Sequence, residues 1–353
     1  MRPLSVGIAG AGLLGRLLAW QLARAGHGVS VFDPAPGPAP GFDGRQAAGF
    51  TAAGMLSPLA ELDNSSARVA ALGWRSIARW REIVAALGAA PHFAERGSLL
   101  LAHRSDLGSA RRVLDRLATH APGTPQAEAL SAVDLARLEP GLQGAAHAWL
   151  LPREGQIDAV ATLQALHAEA AGVRWHWQRT VLSASAGELA FAQGPPRRFD
   201  WVFDVRGTGA RPAMPVRGVR GEIVWLHATG HGLTRPVRVL HSRHRVYIVP
   251  RPGDVLLVGA SEIESEDRSP VSLRSAVELM TAAHSVLPAL AEARILRLDV
   301  NLRPALPDNE PCTEASEGLV RINGLFRHGW LLAPALVDDA LRACRLRAFE
   351  DVS

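Results

Sequence analysis

The apolar positions of this chain change period along its length. A short apolar run at residues 4–9 enters a glycine-rich turn and then a segment with Leu14, Leu17, Leu18 and Leu22 at helical spacing. A second short run at residues 28–33 ends on Asp33, so the opening reads as strand, helix, strand. Long helical patterns follow at 65–88 and 104–120. Between about 216 and 304 the period shortens to that of strands, at 221–228, 236–242, 245–251 and 255–261, with Pro252–Asp254 as a hairpin signal. Strands at about 98–102 and 146–151 are expected to join the same antiparallel sheet, and a last helix is expected over about 331–346. In the strand 245–251, Val246, Ile248 and Pro250 share one face while Tyr247, Val249 and Arg251 share the other.

The glycine turn carries the first candidate chemistry. In Gly10-Ala11-Gly12-Leu13-Leu14-Gly15, Gly10 permits a tight turn, Gly12 lets backbone approach a pyrophosphate, and Gly15 allows close helix–strand packing. The helix start offers free N–H groups and a positive dipole end to phosphates, and Asp33 is placed to accept from a ribose. An acid at position 33 disfavours a 2′-phosphate, but the motif does not separate NAD from FAD. A dinucleotide fold built for NAD would continue as alternating strands and helices. Here a Pro/Gly-rich loop (34–44) and a small-residue run (47–58) come instead. A chain that leaves the nucleotide fold early and returns late predicts an α/β Rossmann-like unit from 1–80, 152–215 and 305–353. Interleaved with it, 81–151 and 216–304 would form an α+β unit on the antiparallel sheet.

Composition narrows the chemistry. The length of 353 residues suffices for two cores. All 38 positive side chains are arginine, and that absence of lysine, with a single tyrosine, explains a pI near 10.2 at a formal charge of only +4. No arginine-rich block interleaved with aromatics points to nucleic acid. A P-loop and a pyridoxal-phosphate Schiff base both need lysine and are excluded. Two cysteines, Cys312 and Cys344, are too few for a disulfide scaffold or for a zinc site built from cysteine ligands alone. No metal is expected, and a reducing cytoplasm fits. Arg16 interrupts the N-terminal apolar run, and no stretch of about 18 uncharged apolar residues predicts a membrane span. Whether copies associate as a homo-oligomer is left open by the sequence.

Five further segments resemble, in order, the D-amino acid oxidase/glycine oxidase family of FAD enzymes, closest to its thiamine-pathway type. They are Ala52-Ala53-Gly54-Met55-Leu56, the Gly-x-Ile-Asp helix entry at 154–166 (with Ala159 for the usual proline), the strand and glycine turn at 199–212, and the segments 302–311 and 323–335. The resemblance implies non-covalent FAD held by Gly10, Gly12, Leu13, Leu14, Gly15, Asp33, Ala52, Ala53, Gly54, Met55, Val181, Gly207, Gly209, Gly324, Arg327, His328, Gly329, Trp330, Leu331 and Leu332. It places the substrate-carboxylate arginine at Arg303 and a helping phenol at Tyr247. Arg327 falls beside the flavin as a substrate contact or a packing residue, and His328 as a structural or flavin-adjacent one. Glu262 is an amine partner or a loop charge. The implied reaction is oxidation of glycine or a small D- or N-substituted amino acid by hydride transfer to the flavin, with oxygen the expected acceptor. A dehydrogenase using another acceptor and a non-catalytic flavoprotein subunit are the alternatives. Sarcosine-oxidase relatives use a lysine near the flavin and often a cysteine linked to it. This chain has no lysine, and Cys312 is expected in a loop.

Overall fold

The computed structural model describes residues 2–120, 125–240 and 245–346. Two sheets organise them. The first has six strands in the order Cys312–Ser316, Leu319–Asn323, Trp201–Asp204, Ser5–Ala9, Gly28–Phe32 and Arg174–His176. All neighbours are parallel except the first pair. Its central strands are buried apolar runs, as parallel strands covered on both faces require. Helices Leu13–Arg24, Ala159–Ala168 and Gly329–Ala343 contribute to the largest apolar core beside it, together with Ala67–Ala86.

The second sheet has eight strands in the order Arg294–Ala305, Arg217–His227, Val255–Gly259, Arg245–Arg251, Val237–Leu240, Ser98–Ala102, His147–Leu151 and Glu128–Leu130. It is antiparallel except where Val237–Leu240 runs parallel to Ser98–Ala102, which makes it a mixed sheet. The alternation read from sequence sorts its faces. Val246, Ile248, Leu256 and Val258 pack with the helix Leu273–His284. Tyr247, Val249 and Leu257 pack with Ala53 and Met55 on the opposite face.

Several expected boundaries shift. The last helix begins at Gly329 and ends at Ala343. Cys312, expected in a loop, opens the edge strand Cys312–Ser316. The segment 236–242 is a strand only over Val237–Leu240, and 241–242 and 347–353 lie outside the described residues. The small sheet made by Val181–Ser185, Glu188–Phe191 and Arg197–Arg198 has no counterpart in the sequence reading.

Two close contacts fix the nucleotide end. Gly10 has φ of +105°, and a Cβ on Gly15 would lie 1.8 Å from the Gly10 carbonyl oxygen, so the helix meets the turn with no space for a side chain. Arg16, 1 % exposed, donates to the carbonyls of Ala11 (2.9 Å), Leu163 (2.8 Å) and Pro38 (2.9 Å), and its guanidinium lies over the Phe50 ring. One side chain thus ties the glycine turn to the Pro/Gly loop and to a neighbouring helix. Because the Gly15 contact is with backbone, Gly15→Ala is expected to destabilise the protein by about 1–3 kcal/mol, seen as a lower denaturant midpoint at unchanged m-value.

Candidate active site

A cavity of about 1460 Å³ lies between the two sheets. Single drug-sized ligands occupy sites of roughly 300–1000 Å³, so this one has room for a dinucleotide with a small molecule beside it. At the nucleotide end its wall includes Gly10, Gly12, Leu13, Leu14 and Asp33. The helix beginning at Leu13 has Gly12 as its cap, and no side chain caps its first turn, which leaves N–H groups for an anion. The Asp33 carboxylate accepts from Ala11 N (2.6 Å) and Ala35 N (2.8 Å), and each oxygen keeps a lone pair for a ribose hydroxyl.

The middle of the wall holds Ala52, Ala53, Gly54 and Met55, then Val181, Gly207 and Gly209. Its far end holds Arg327, His328, Gly329, Trp330 and Leu331, where the C-terminal helix begins. Three expected cofactor residues sit behind the wall. Gly15 abuts the glycine turn, Leu332 is fully buried in the core, and Gly324 makes a turn at φ +75° against Leu306.

On the eight-stranded sheet, Arg303 and Tyr247 lie on the cavity face. Both lie flat on bare backbone: a Cβ on Gly221 would be 2.4 Å from the Arg303 guanidinium carbon, and one on Gly259 would be 2.7 Å from the Tyr247 hydroxyl. Arg303 donates to the carbonyls of Arg220 (3.3 Å) and Ser261 (3.1 Å). Among the described residues no carboxylate is within ion-pair distance of it. Its carbonyl acceptors are themselves fixed, because Glu222 binds Arg220 (2.6 Å) and accepts from the Ser261 hydroxyl (2.9 Å). Burial lowers the Arg303 pKa, and the Tyr247 phenol acts in the opposite direction. Burial raises the phenol's pKa, while Arg303, Arg327 and Arg238 pull it down. Arg303, Tyr247, Arg327 and Arg238 all line this cavity.

Two of the residues there were not anticipated. Arg238 stands directly across from Tyr247 in the ladder, and its guanidinium binds the buried carboxylate of Glu61. The other Glu61 oxygen lies 3.3 Å from Arg327 Nε and 3.3 Å from His328 Nδ1, and Arg327 reaches Glu262 at 3.2 Å. Burial opposes ionisation of Glu61, but Arg327 and Arg238 outweigh it and hold the carboxyl well below its ordinary range. Arg238 was legible in principle, as a charge between Val237 and Val239 on the face that period-two counting gives to Tyr247's strand partner. Glu61 had no signal beyond following the small-residue run. Among the described residues no group of three or more His, Cys, Asp or Glu is arranged to hold a metal, and no helix is long and apolar enough to cross a membrane.

A glycine turn feeding an uncapped helix, a mixed sheet facing it and a cavity sized for a dinucleotide with a small molecule beside it define a dinucleotide-dependent protein of the α/β class. The chain belongs to the family described as "DAO: FAD dependent oxidoreductase", whose profile matches residues 5–338. It is 39 % identical over 337 residues to the "Putative thiamine biosynthesis oxidoreductase ThiO" of Rhizobium etli, covering 95 % of this chain and 94 % of that one. It is 27 % identical over 360 residues to a glycine oxidase of Geobacillus kaustophilus (93 % and 89 % covered). The crystal structure of glycine oxidase from Geobacillus kaustophilus superposes with a TM-score of 0.83 at 25 % identity, over 100 % of this chain and 98 % of that one. The chain is thus an FAD-dependent oxidoreductase of the glycine oxidase type, with FAD as its cofactor.

Because Glu61 has a depressed pKa in the folded state, its contribution to stability is complete above the ordinary value of 4.5 and is lost as pH falls toward the folded value. Wild type is therefore expected to be more stable than Glu61→Gln at neutral pH by about 3 kcal/mol, with the gap closing in acid. Urea titrations of both proteins across that window check this, and a gap independent of pH would contradict it.

Proposed function

We propose that the protein oxidises glycine or a small D- or N-substituted amino acid, with residues 1–80, 152–215 and 305–353 holding the cofactor and 81–151 and 216–304 the substrate. The observation that carries this reading is Arg303: a half-buried guanidinium on the cavity wall, held by two carbonyls and paired with no acid among the described residues. Around it Arg238, Glu61, Arg327 and Glu262 alternate in sign and cancel. One uncompensated cation fits one carboxylate, and the planar fork of arginine fits it in two-point fashion. Tyr247, which lines the same cavity, would donate its hydroxyl to the same group. A substrate bound as its amine-neutral anion would bring the total to zero.

In this reading Arg303 and Tyr247 hold the carboxylate and thereby fix the substrate carbon, while the apolar face formed by Ala53, Ile223 and Met55 keeps water away from it. FAD, when bound there, would supply the oxidant for removal of a hydride from that carbon. The amine becomes an imine, which water hydrolyses to an oxo acid and ammonia. The chain then needs no proton-abstracting side chain. The start of the C-terminal helix at Gly329 supports negative charge at its end of the cavity. Neither free cysteine lines the cavity, which supports non-covalent FAD, and free thiols suit a reducing cytoplasm. Oxygen is the proposed final acceptor, as the names of the glycine oxidase relatives suggest.

A panel of glycine, N-methylglycine and D-amino acids tests the reaction by anaerobic bleaching of the flavin, and peroxide release in air tests the acceptor. Bleaching without peroxide would indicate a dehydrogenase instead. Arg303→Met is expected to raise the substrate KM at least about 100-fold while FAD stays bound, and Tyr247→Phe to weaken substrate binding by about 1 kcal/mol. Unchanged kinetics in Arg303→Met would remove the assignment.

A further inference from the structure

The cluster around Glu61 is more than a neutral lining. Arg238 comes from the eight-stranded sheet and Arg327 from the segment before the C-terminal helix, and the Glu61 carboxylate sits between them. Glu61 is held there. The short helix Pro58–Glu61 is fixed from behind by Glu154, which is fully buried and accepts from Ala60 N (2.8 Å) and the Ser98 hydroxyl (2.5 Å). Both arginines and Glu61 line the same cavity as Tyr247 and Arg303, and Arg238 stands directly across the ladder from Tyr247, so this second pair of cations borders the same space as the carboxylate anchor. Arg238 Nε is buried without a hydrogen-bond partner among the described residues, so the guanidinium is not fully used by Glu61.

Two guanidiniums flanking a small gap are the recognition chemistry of an acid group. Here the chain fills that gap with its own carboxylate. We infer that Glu61 is a specificity-determining residue that takes the place of a second substrate acid between Arg238 and Arg327, restricting the site to amines with one carboxylate. This rests on the reading of Arg303 as the carboxylate anchor. A dicarboxylic amine anchored there would bring its second carboxylate against Glu61 in a site poor in water, where like charges are strongly unfavourable. Replacing Glu61 by Gln keeps the shape, removes the charge and leaves both arginines available to the incoming acid. Selection then works by repulsion, from a residue that takes no part in the reaction.

The test uses the FAD-loaded enzyme and follows anaerobic flavin reduction by glycine and by iminodiacetate in wild type, Glu61→Gln and Glu61→Asp. Wild type is expected to favour glycine by at least about 100-fold in specificity, and Glu61→Gln to shift that ratio toward iminodiacetate at least about tenfold, mainly through KM. Glu61→Asp should keep the wild-type preference. A wild type that takes iminodiacetate as readily as glycine would overturn the inference. So would a Glu61→Gln enzyme in which both substrates decline by the same factor, leaving their ratio as in wild type. A second measurement needs no variant: acetate and malonate are titrated against the wild-type flavin spectrum. Acetate should bind more tightly than malonate, and the reverse order also overturns the inference. If no amine reduces the flavin, the proposed reaction fails, while the two acids still decide what Glu61 excludes.

Discussion

The cavity depends on one buried carboxylate. Glu61 joins the segment after the cavity-lining loop at 52–55 to the eight-stranded sheet through Arg238 and to the start of the C-terminal helix through Arg327. Without it, Arg238 and Arg303 would have no ion-pair partner among the described residues and Arg327 only the more exposed Glu262. The balance favours ionisation. At an effective dielectric of about 20, a cation about 4 Å away contributes roughly 4 kcal/mol, and two of them exceed a desolvation cost of several kcal/mol. The carboxylate is thus charged because its neighbours are, and the neighbours are tolerated in the interior because it is charged. This mutual dependence holds three separate parts of the chain in one arrangement.

Arginine also does structural work at a distance from that cluster. Arg251, on the same strand as Tyr247, donates to the carbonyls of Ala53, Ile157 (3.0 Å) and Pro250 (3.1 Å). Burial pushes its pKa down to about 10, against the opposing effect of Asp158, so it remains charged at neutral pH. Arg16 gathers three carbonyls in the same way at the nucleotide end. A guanidinium spreads five donors over a plane and can collect carbonyls from different segments, whereas an ammonium presents its donors from one point. In a chain without lysine, this is how loops with little secondary structure of their own are pinned on both sides of the cavity. The loop at Ala53 is held from the opposite sheet, so the two walls of the cavity are not independent.

The parts of the fold that were legible in the sequence are those with a strong period. The opening strand, helix and strand, the long helix at Ala67–Ala86 and the strands from Arg217 to Gly259 follow directly from apolar spacing. Arg174–His176 and the small sheet after Val181 escaped because they are short and half-exposed, with charged residues at positions a buried strand would fill with apolar ones. The parallel pairing of Val237–Leu240 with Ser98–Ala102 could not be read, since a strand's own alternation carries no information about the direction of its neighbour. In the site, Arg303 and Tyr247 were recognisable through the family resemblance, and strand counting put Tyr247 opposite the face that packs on helix Leu273–His284. Glu61 was invisible for a physical reason: an acid in a short helix reads as solvated until the cations that bury it arrive from residues 238 and 327.

Arg303 illustrates what the surrounding structure has to supply. An acid partner would hold the guanidinium in place but would also cancel the charge on which the proposed binding of a carboxylate rests. Carbonyl dipoles hold it without cancelling it, and the two that do so belong to Arg220 and Ser261, which Glu222 locks together from the far side. Glycine at 221 then lets the fork lie directly on the strand, and glycine at 259 does the same for the phenol on the neighbouring strand. Both groups are therefore positioned before a ligand arrives, so little rotamer entropy remains to be lost on binding. The cost is carried elsewhere, in the buried Arg220–Glu222 pair behind those carbonyls.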